Sequence, residues 1–568
     1  MAFRRYKSAV NEHWFFSELS AEMGAFSRTI FLNVLGNFFQ IVTSLFVMVV
    51  YNNVLPYDAK SSLLTLVIGI SVILAFDLVS KTLKSRIIGT ANDKIEAQLQ
   101  KRLFEKVLSW DLQSRPKFAG AASTLMRDIE STTELFTNNS ISTLVGVPFV
   151  LINCLVIYLI AGPLVWVTIS IVIVAIFVSL VFFLLVSNLA GQAKVSSVEK
   201  NSVFLEAITN LETLKSIADY DFFNKRFKKA DGEARSVSVK LKYLLSDANS
   251  FNNLLSSSAQ IAVVSVGAVL VMEGIINPGA LIASMILNGR TLQPVMQIAT
   301  LLQKLSVAKI SYKKLDQTFT FISDEERRWQ NISIKKLEGP IKIKGLTFQP
   351  EGMQTPVLSI KNLTIKAGEK IGVVGSVGSG KSTFLKLVSG VLTPTSGRVS
   401  FGAFDTTAIN QADLRKSVSY LGQEAGIFSG TFRENLTFGN EAISDDDIIR
   451  AMEVTGFSSV IQKFQNGLSF VISEKGQELS GGQKQILSLT RSVLSDPAFL
   501  VYDEPTSAMD PRHENLFIKK MSTFLQDKTF IVVTHRRPIL ALTDRLIVIE
   551  NGAIILDGNR DDVLAKFR

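Results

Sequence analysis

Residues Ile371–Val388 read IGVVGSVGSGKSTFLKLV, and the order of the parts in this stretch decides the fold around it. A short apolar run, Ile371–Val374, is followed by Gly375-Ser376-Val377-Gly378-Ser379-Gly380-Lys381-Ser382-Thr383, which fits the pattern G-x-x-x-x-G-K-[ST], and then by the helical residues STFLKLV. Strand, glycine-rich loop and helix in that order place converging backbone N–H groups at a helix N-terminus, where an anion is stabilised. Lys381 reaches the outer phosphates of a nucleoside triphosphate, and the Ser382 hydroxyl is a ligand for Mg²⁺.

Further apolar runs lie outward from this loop, at Phe499–Tyr502, Phe530–Val533 and Leu546–Ile549, alternating with helical segments. From about Pro340 onward the chain therefore reads as an α/β domain. A phosphate-bound metal needs an acidic ligand, and the run Phe499-Leu-Val-Tyr-Asp503-Glu504 supplies one at its carboxyl end. Asp503 is expected to hold Mg²⁺ and Glu504 to polarise an attacking water. A third element, Leu479-Ser480-Gly481-Gly482-Gln483, opens the helical segment QKQILSLTRSVL with a hydroxyl and exposed N–H groups, a second anion site.

The first 320 residues differ in kind. The whole chain of 568 residues is 47% apolar and only 19% charged, with a mean hydropathy of +0.28. Soluble proteins average roughly a quarter charged residues. One cysteine, Cys154, and three histidines exclude a disulfide framework and a Cys/His zinc cluster. No Asp, Glu, Lys or Arg interrupts the 29 residues between Arg28 and Asp58, nor the 59 from Leu135 to Ala193, which the turn pair Gly162-Pro163 divides. About 20 residues cross a bilayer, so the longer stretch is two spans. Ser61–Ser80, Asn252–Met272 and Asn277–Leu302 complete six. The connections 81–140 and 187–250 carry ten Lys and Arg each, against Lys60 alone in the short ones. Both long loops and both termini are therefore expected in the cytoplasm, and the net charge of +10 reflects residues flanking spans instead of a nucleic-acid surface. Apolar residues at helical spacing in Asp93–Leu108 and in 198–229 predict helices that extend the spans inward. Trp14, Phe15 and Phe16 form either a short helix on the inner membrane surface or part of a solvated tail. Arg290, the only charge in the sixth span, costs about 2.5–3.5 kcal/mol in a bilayer unless it faces protein or water. It either lines a translocation path or pairs with Asp77.

The phosphate loop, the Asp503-Glu504 pair and LSGGQ together resemble the ATPases of ABC transporters, and the resemblance covers the whole chain. It implies a type I exporter fold: residues 1–28 as a cytoplasmic segment, a six-helix membrane domain over 29–322, a linker over 323–339 and a nucleotide-binding domain over 340–568. It also implies ATP and Mg²⁺ as cofactors and a homodimer, in which Ser480, Gly481, Gly482 and Gln483 of one copy close over ATP held by residues 375–383 of the other. Gln423 resembles the loop glutamine that touches Mg²⁺. His535 resembles the histidine at the γ-phosphate. Glu474 resembles the acidic residue that meets the coupling helices, placed near 109–117 and 218–223, and Asp510 resembles the end of the loop that communicates between subunits. Where members place an adenine-stacking aromatic, this chain has Pro350.

The segments SRPKFAGAASTLMRDIESTTELF and PGALIASMILNGRTLQPVMQIATLLQ are similar to the permease/ATPase subunits of type I secretion systems. That resemblance implies export of an unfolded protein across a bacterial inner membrane, with a periplasmic adaptor and an outer-membrane tunnel protein as partners. The peptidase-like domain that many of those subunits carry before the first span has no counterpart in the 28 residues here. A lipid or drug exporter, or a peptide exporter, shares the same ATPase residues.

Overall fold

The computed structural model describes residues 13–113, 124–217, 219–321, 332–350 and 352–566. Its contacts divide the chain into two units, one of Met1–Leu108 with Pro116–Phe321 and the other of Ser109–Arg115 with Ile322–Arg568.

The first unit is helical: α1 (Phe16–Ala21), α2 (Met23–Val49), α3 (Lys60–Leu108), α4 (Leu125–Thr133), α5 (Asn138–Ala161), α6 (Val165–Thr209), α7 (Leu211–Ser216), α8 (Asp221–Met272) and α9 (Pro278–Phe319). Four stretches among the described residues are long and apolar enough to cross a membrane: Met23–Val54, Lys60–Leu108, Leu125–Thr209 and Asp221–Met272. The third contains α5 and α6, broken at Gly162–Leu164, where Gly162 takes a φ of +50° that ends the helix. Helix α9, expected as the sixth span, is continuous for 42 residues but is not one of the four. Helices α3, α6 and α8 run 49, 45 and 52 residues without a break, so the long connections between spans are helical extensions, as their periodicity predicts.

Two details differ from the sequence reading, and a third expected segment is described only in part. Trp14 and Phe15 pack on the unit's own helices: the Trp14 indole N–H donates to Asp316 Oδ1 at 3.0 Å and its ring stacks on Phe319 at 4.5 Å, while Phe15 is buried. Their partner is protein because α9 presents a carboxylate and aromatic rings to them. The short helix between α6 and α8 is Leu211–Ser216, earlier than the 218–223 expected, since Asp219 accepts from Asp221 N–H and starts α8 there. Residues 114–117 of the other expected coupling segment, and Ala218, lie outside the described residues, but Gln113 Nε2 donates to Thr393 O at 2.6 Å within the second unit.

In the second unit a four-stranded antiparallel sheet, in the order β2 (Leu358–Ile365), β1 (Ile341–Phe348), β4 (Ser396–Phe401), β5 (Phe404–Asp405), faces a six-stranded one. The order of the latter is β12 (Ala553–Asn559), β11 (Arg545–Glu550), β3 (Lys370–Val374), β10 (Thr529–Val533), β9 (Phe499–Asp503), β6 (Val418–Leu421). Every pair in the six-stranded sheet is parallel except β11 with β12, and a separate two-stranded sheet pairs β7 (Gly430–Thr431) with β8 (Val471–Ile472). Strands β9 and β10 are buried at every position, which is why they read as unbroken apolar runs. One core fills the space between the sheets, with Phe401 edge-on to Phe499 at 4.8 Å; a second, centred on Phe432, Phe457 and Phe517, holds the helices beyond β6. The expected linker 323–339 lies largely outside the described residues. Its end already belongs to this unit, with Ile332 N–H donating to Ala408 O and Leu337 fully buried.

Candidate active site

Parallel strands of an open sheet deliver their following loops to one edge. Here Val373, Val533 and Asp503 are level on β3, β10 and β9, and Leu421 on β6 is level with Tyr502. The four loops that leave these strands carry Gly375–Thr383, His535, Glu504 and Gln423, so adjacency of the strands alone gathers residues more than a hundred positions apart.

The phosphate loop is tightly built. Gly375, Gly378 and Gly380 have φ of +149°, +81° and +97°, and Gly380 caps α10 (Lys381–Val388). A Cβ on Gly375 would lie 2.0 Å from Ile549 O, so only glycine fits between β3 and β11. Lys381 is buried, and its Nζ donates to Gly375 O at 2.8 Å and Ser376 O at 2.7 Å. The Ser379 hydroxyl is buried without a hydrogen-bond partner, and Val377 at the loop tip is 96% exposed. A buried ammonium borrowing two carbonyls, an orphaned hydroxyl and a helix N-terminus form a cradle that fits the phosphates of ATP. Ser382 and Thr383 are half-buried in the first turn of α10.

Asp503 ends β9 and is buried. Glu504 follows with a φ of +50°, left-handed for a residue with a side chain, and its N–H donates to Val533 O at 2.9 Å. That conformation costs roughly 1–3 kcal/mol and turns the carboxylate away from the strand. Glu504 Oε1 lies 3.8 Å from His535 Nε2. Burial, with a smaller push from Asp503, holds the Glu504 carboxyl above the usual carboxylate range, against the pull of His535 and Lys381. Tyr420 is pushed up to about 12 by burial and by Asp503. Asp503 and Ser382 are oxygen donors of the kind Mg²⁺ takes. Gln423 is exposed, and its side chain makes no hydrogen bond among the described residues.

Ser480 caps α11 (Gly481–Leu494) through a capping box, its hydroxyl accepting from Gln483 N–H and its N–H donating to Gln483 Oε1 at 2.8 Å. Ser480 to Gln483 make no hydrogen bond to residues 375–383 within the chain. Glu474 lies exposed in a single turn, Glu474–Gly476. The Asp510 carboxylate is committed locally: it caps α12 (Pro511–Phe524) through Arg512 and His513 N–H groups at 3.0 Å and meets His513 Nδ1 at 2.6 Å. Arg290, in the first unit, faces a polar cavity of about 300 Å³ shared with Gln40, Thr43, Asp77, Lys81 and Gln293, and the ion-pair partner of Asp77 is Lys81 at 2.5 Å.

Two contacts have no simple mark in the sequence. Glu550, at the end of β11, accepts from Ser376 N–H at 3.0 Å and Ser376 Oγ–H at 2.8 Å, bracing the phosphate loop from 174 residues away. Gln485, inside α11, bonds to the loop that begins at Glu504. Strand register could have suggested the first, since β11 neighbours β3.

Residues 27–295 match the family described as ABC transporter transmembrane region, and residues 358–507 the ABC transporter family. The leukotoxin export ATP-binding protein LtxB of Aggregatibacter actinomycetemcomitans is 25% identical over 552 residues, 97% of this chain and 78% of that protein. The leukotoxin translocation ATP-binding protein LktB of Mannheimia glucosida is similar to the same extent. The fold aligns with a bacterial Atm1-family ABC exporter solved with ATP bound, at a TM-score of 0.82 and 18% identity, covering 95% of this chain and 96% of the other. With a membrane region and an ATPase matched in succession and sites for phosphate at the sheet edge, the chain belongs to the ABC exporters: an integral membrane protein of the type I exporter fold whose ATPase domain drives transport.

Proposed function

We propose that this exporter is the permease/ATPase of a type I secretion system, moving an unfolded polypeptide out of the cytoplasm. What supports the reading above all is similarity along 97% of the chain to proteins named for leukotoxin export. The chain sits in a bacterial inner membrane with six crossings, α9 being the sixth, and both termini in the cytoplasm. Its domains are those expected, 29–322 and 340–568. A periplasmic adaptor and an outer-membrane tunnel protein complete the route.

Two copies form the machine. Residues 375–383 of one copy and Ser480–Gln483 of the second enclose each ATP, so each chain is incomplete alone. Mg²⁺, when bound, neutralises phosphate charge; Ser382, Asp503 and Gln423 would hold it. Glu504 orients and deprotonates the attacking water, His535 contacts the γ-phosphate, and Lys381 exchanges its two carbonyls for phosphate oxygens. Glu474 and the loop ending at Asp510 pass closure to the membrane domain and the second copy. Because the Asp510 side chain is engaged in its own helix cap, that loop acts through its backbone. Arg290 meets the passing polypeptide from the polar cavity it shares with Asp77 and Lys81.

The test compares the proteins in the culture medium of cells carrying the natural gene with those of cells carrying Glu504→Gln at matched expression. One or a few large proteins are expected to vanish from the medium and accumulate inside. An unchanged medium would remove the protein-export reading and direct the search to lipids, drugs and peptides.

A further inference from the structure

Ser480, in the LSGGQ signature Leu479–Gln483, caps helix α11, and two residues beyond Gln483 the helix carries Gln485, which is 7% exposed. Both polar atoms of that amide are engaged. Nε2 donates to Glu504 O at 2.8 Å and to Ser507 Oγ at 3.1 Å, and Oε1 accepts from Ala508 N–H at 2.9 Å. All three partners lie on the five-residue loop Glu504–Ala508, which starts with the candidate base. The backbone of Glu504 is thereby fixed on both sides, its N–H by Val533 O and its carbonyl by Gln485, in the left-handed conformation that aims its carboxylate. The start of the helix touches the same loop, since a Cβ on Gly482 would lie 2.7 Å from Ala508 O. The first turn of α11 and the Glu504 turn are thus one mechanical piece.

We propose that Gln485 is a positioning residue that couples the two ATP sites of the dimer: it ties the signature, which serves the ATP of the second copy, to the base that serves the ATP of its own. This rests on the two-copy reading above. When Ser480 and its N–H groups take up the partner's phosphates, the first turn of α11 becomes ordered against that ATP. Gln485 then holds Glu504 in attacking geometry at the other site. A mere core amide would contribute stability only; this one connects two catalytic elements that never share a ligand.

The measurement uses the purified full-length protein in lipid nanodiscs. Gln485→Met keeps the volume and removes all three bonds; Gln485→Glu keeps the acceptor for Ala508 N–H and removes both donors, and guards against a folding defect in the first variant. Both are expected to lower kcat for ATP hydrolysis at least tenfold while the Kd for the non-hydrolysable analogue AMP-PNP stays within twofold. A kcat within twofold of the natural protein, or an affinity that falls in step with kcat, overturns the assignment. Mixed dimers, isolated through two different tags, locate the effect. One copy carries Glu504→Gln and binds ATP without hydrolysing it. Gln485→Met on the copy with intact Glu504 is expected to abolish most of the remaining turnover, and the same change on the Glu504→Gln copy to cost far less. Equal loss in both arrangements overturns the proposal. Failure to recover doubly tagged dimers counts against the two-copy reading alone, and the kcat and Kd comparison still decides whether Gln485 positions the base.

Discussion

Replacing Gly375 by alanine puts one methyl group where the structure has no room, and the cost can be worked from the contacts. The new carbon would lie 2.0 Å from Ile549 O and 3.0 Å from Ser379 Oγ, whereas real Cβ atoms essentially never come within 3.0 Å of another heavy atom. The carbonyl must retreat by about 1 Å or the phosphate loop must lift. Ile549 cannot retreat freely, because β11 is paired with β3 up to Val548 and Val374. Overpacking costs about 1–3 kcal/mol. The φ of +149° adds backbone strain of about 1–3 kcal/mol. Taken together the penalty is about 4 kcal/mol, and if the loop lifts, ATP binding weakens by a factor on the order of 10²–10³. Gly378→Ala is the comparison: its φ is +81° but its added carbon meets nothing within 4 Å, so only strain remains and the expected weakening is about tenfold. The assay is equilibrium binding of a fluorescent ATP analogue to the purified protein, with thermal unfolding of the same samples. If Gly375→Ala binds within threefold of the natural protein and melts at the same temperature, the penalty has surfaced nowhere and the steric reasoning is wrong.

Two other outcomes follow from charged groups. The Glu504 carboxyl is held above the ordinary range, so the proton stays on longer in the folded protein: hydrolysis should fall on acidification earlier than a free glutamate predicts, and ionisation should oppose folding at higher pH. Glu504→Gln should therefore raise the melting temperature at pH 8 and lose that advantage at pH values where the carboxyl is protonated; an equal gain at both ends would show that ionisation is not the cause. Asp128 sits 2% exposed between Lys194 Nζ at 2.7 Å and Lys314 Nζ at 3.0 Å, joining α4, α6 and α9. Asp128→Asn leaves two ammonium groups facing an uncharged amide and should cost about 3–5 kcal/mol, read as a lowered melting temperature and yield; a melting temperature unchanged within error contradicts it.

The ATPase half announces itself in sequence because its central strands are buried on both faces and so are written as contiguous apolar residues, with the chemistry placed where each run stops. Ile371–Val374, Phe499–Tyr502, Phe530–Val533 and Leu546–Ile549 each match a strand to within one residue at either end. The antiparallel sheet left weaker marks, since Lys342, Lys344 and Lys361 alternate with its buried positions and dilute the apolar signal. Candidate residues that follow strands, such as Glu504 and His535, were legible because strand order alone brings them together. Gln485 and Glu550 were not. A glutamine within a polar helix start looks solvated until the loop it grips is folded against it, and a glutamate after β11 gains meaning only from the neighbouring register. Arg290 and Asp77 line one cavity, but the ion pair of Asp77 is with Lys81, one turn along α3, and an i to i+4 neighbour of this kind is easily overlooked in a sequence beside a lone mid-span arginine.

The 52 residues of α8 span about 78 Å at 1.5 Å each, more than twice the roughly 30 Å of a bilayer's hydrocarbon. No proline interrupts them, and Gly232 and Gly267 sit where the helix continues unbroken. A rod of this kind bends gently but resists stretching, because lengthening it means lengthening the i to i−4 hydrogen bonds that close every turn. A displacement at one end is delivered to the other at nearly full size, with the sign fixed by where the rod pivots. The gear ratio of the transporter is therefore set by helix length, and inserting or deleting whole turns would change the stroke without touching a single residue of the ATP site.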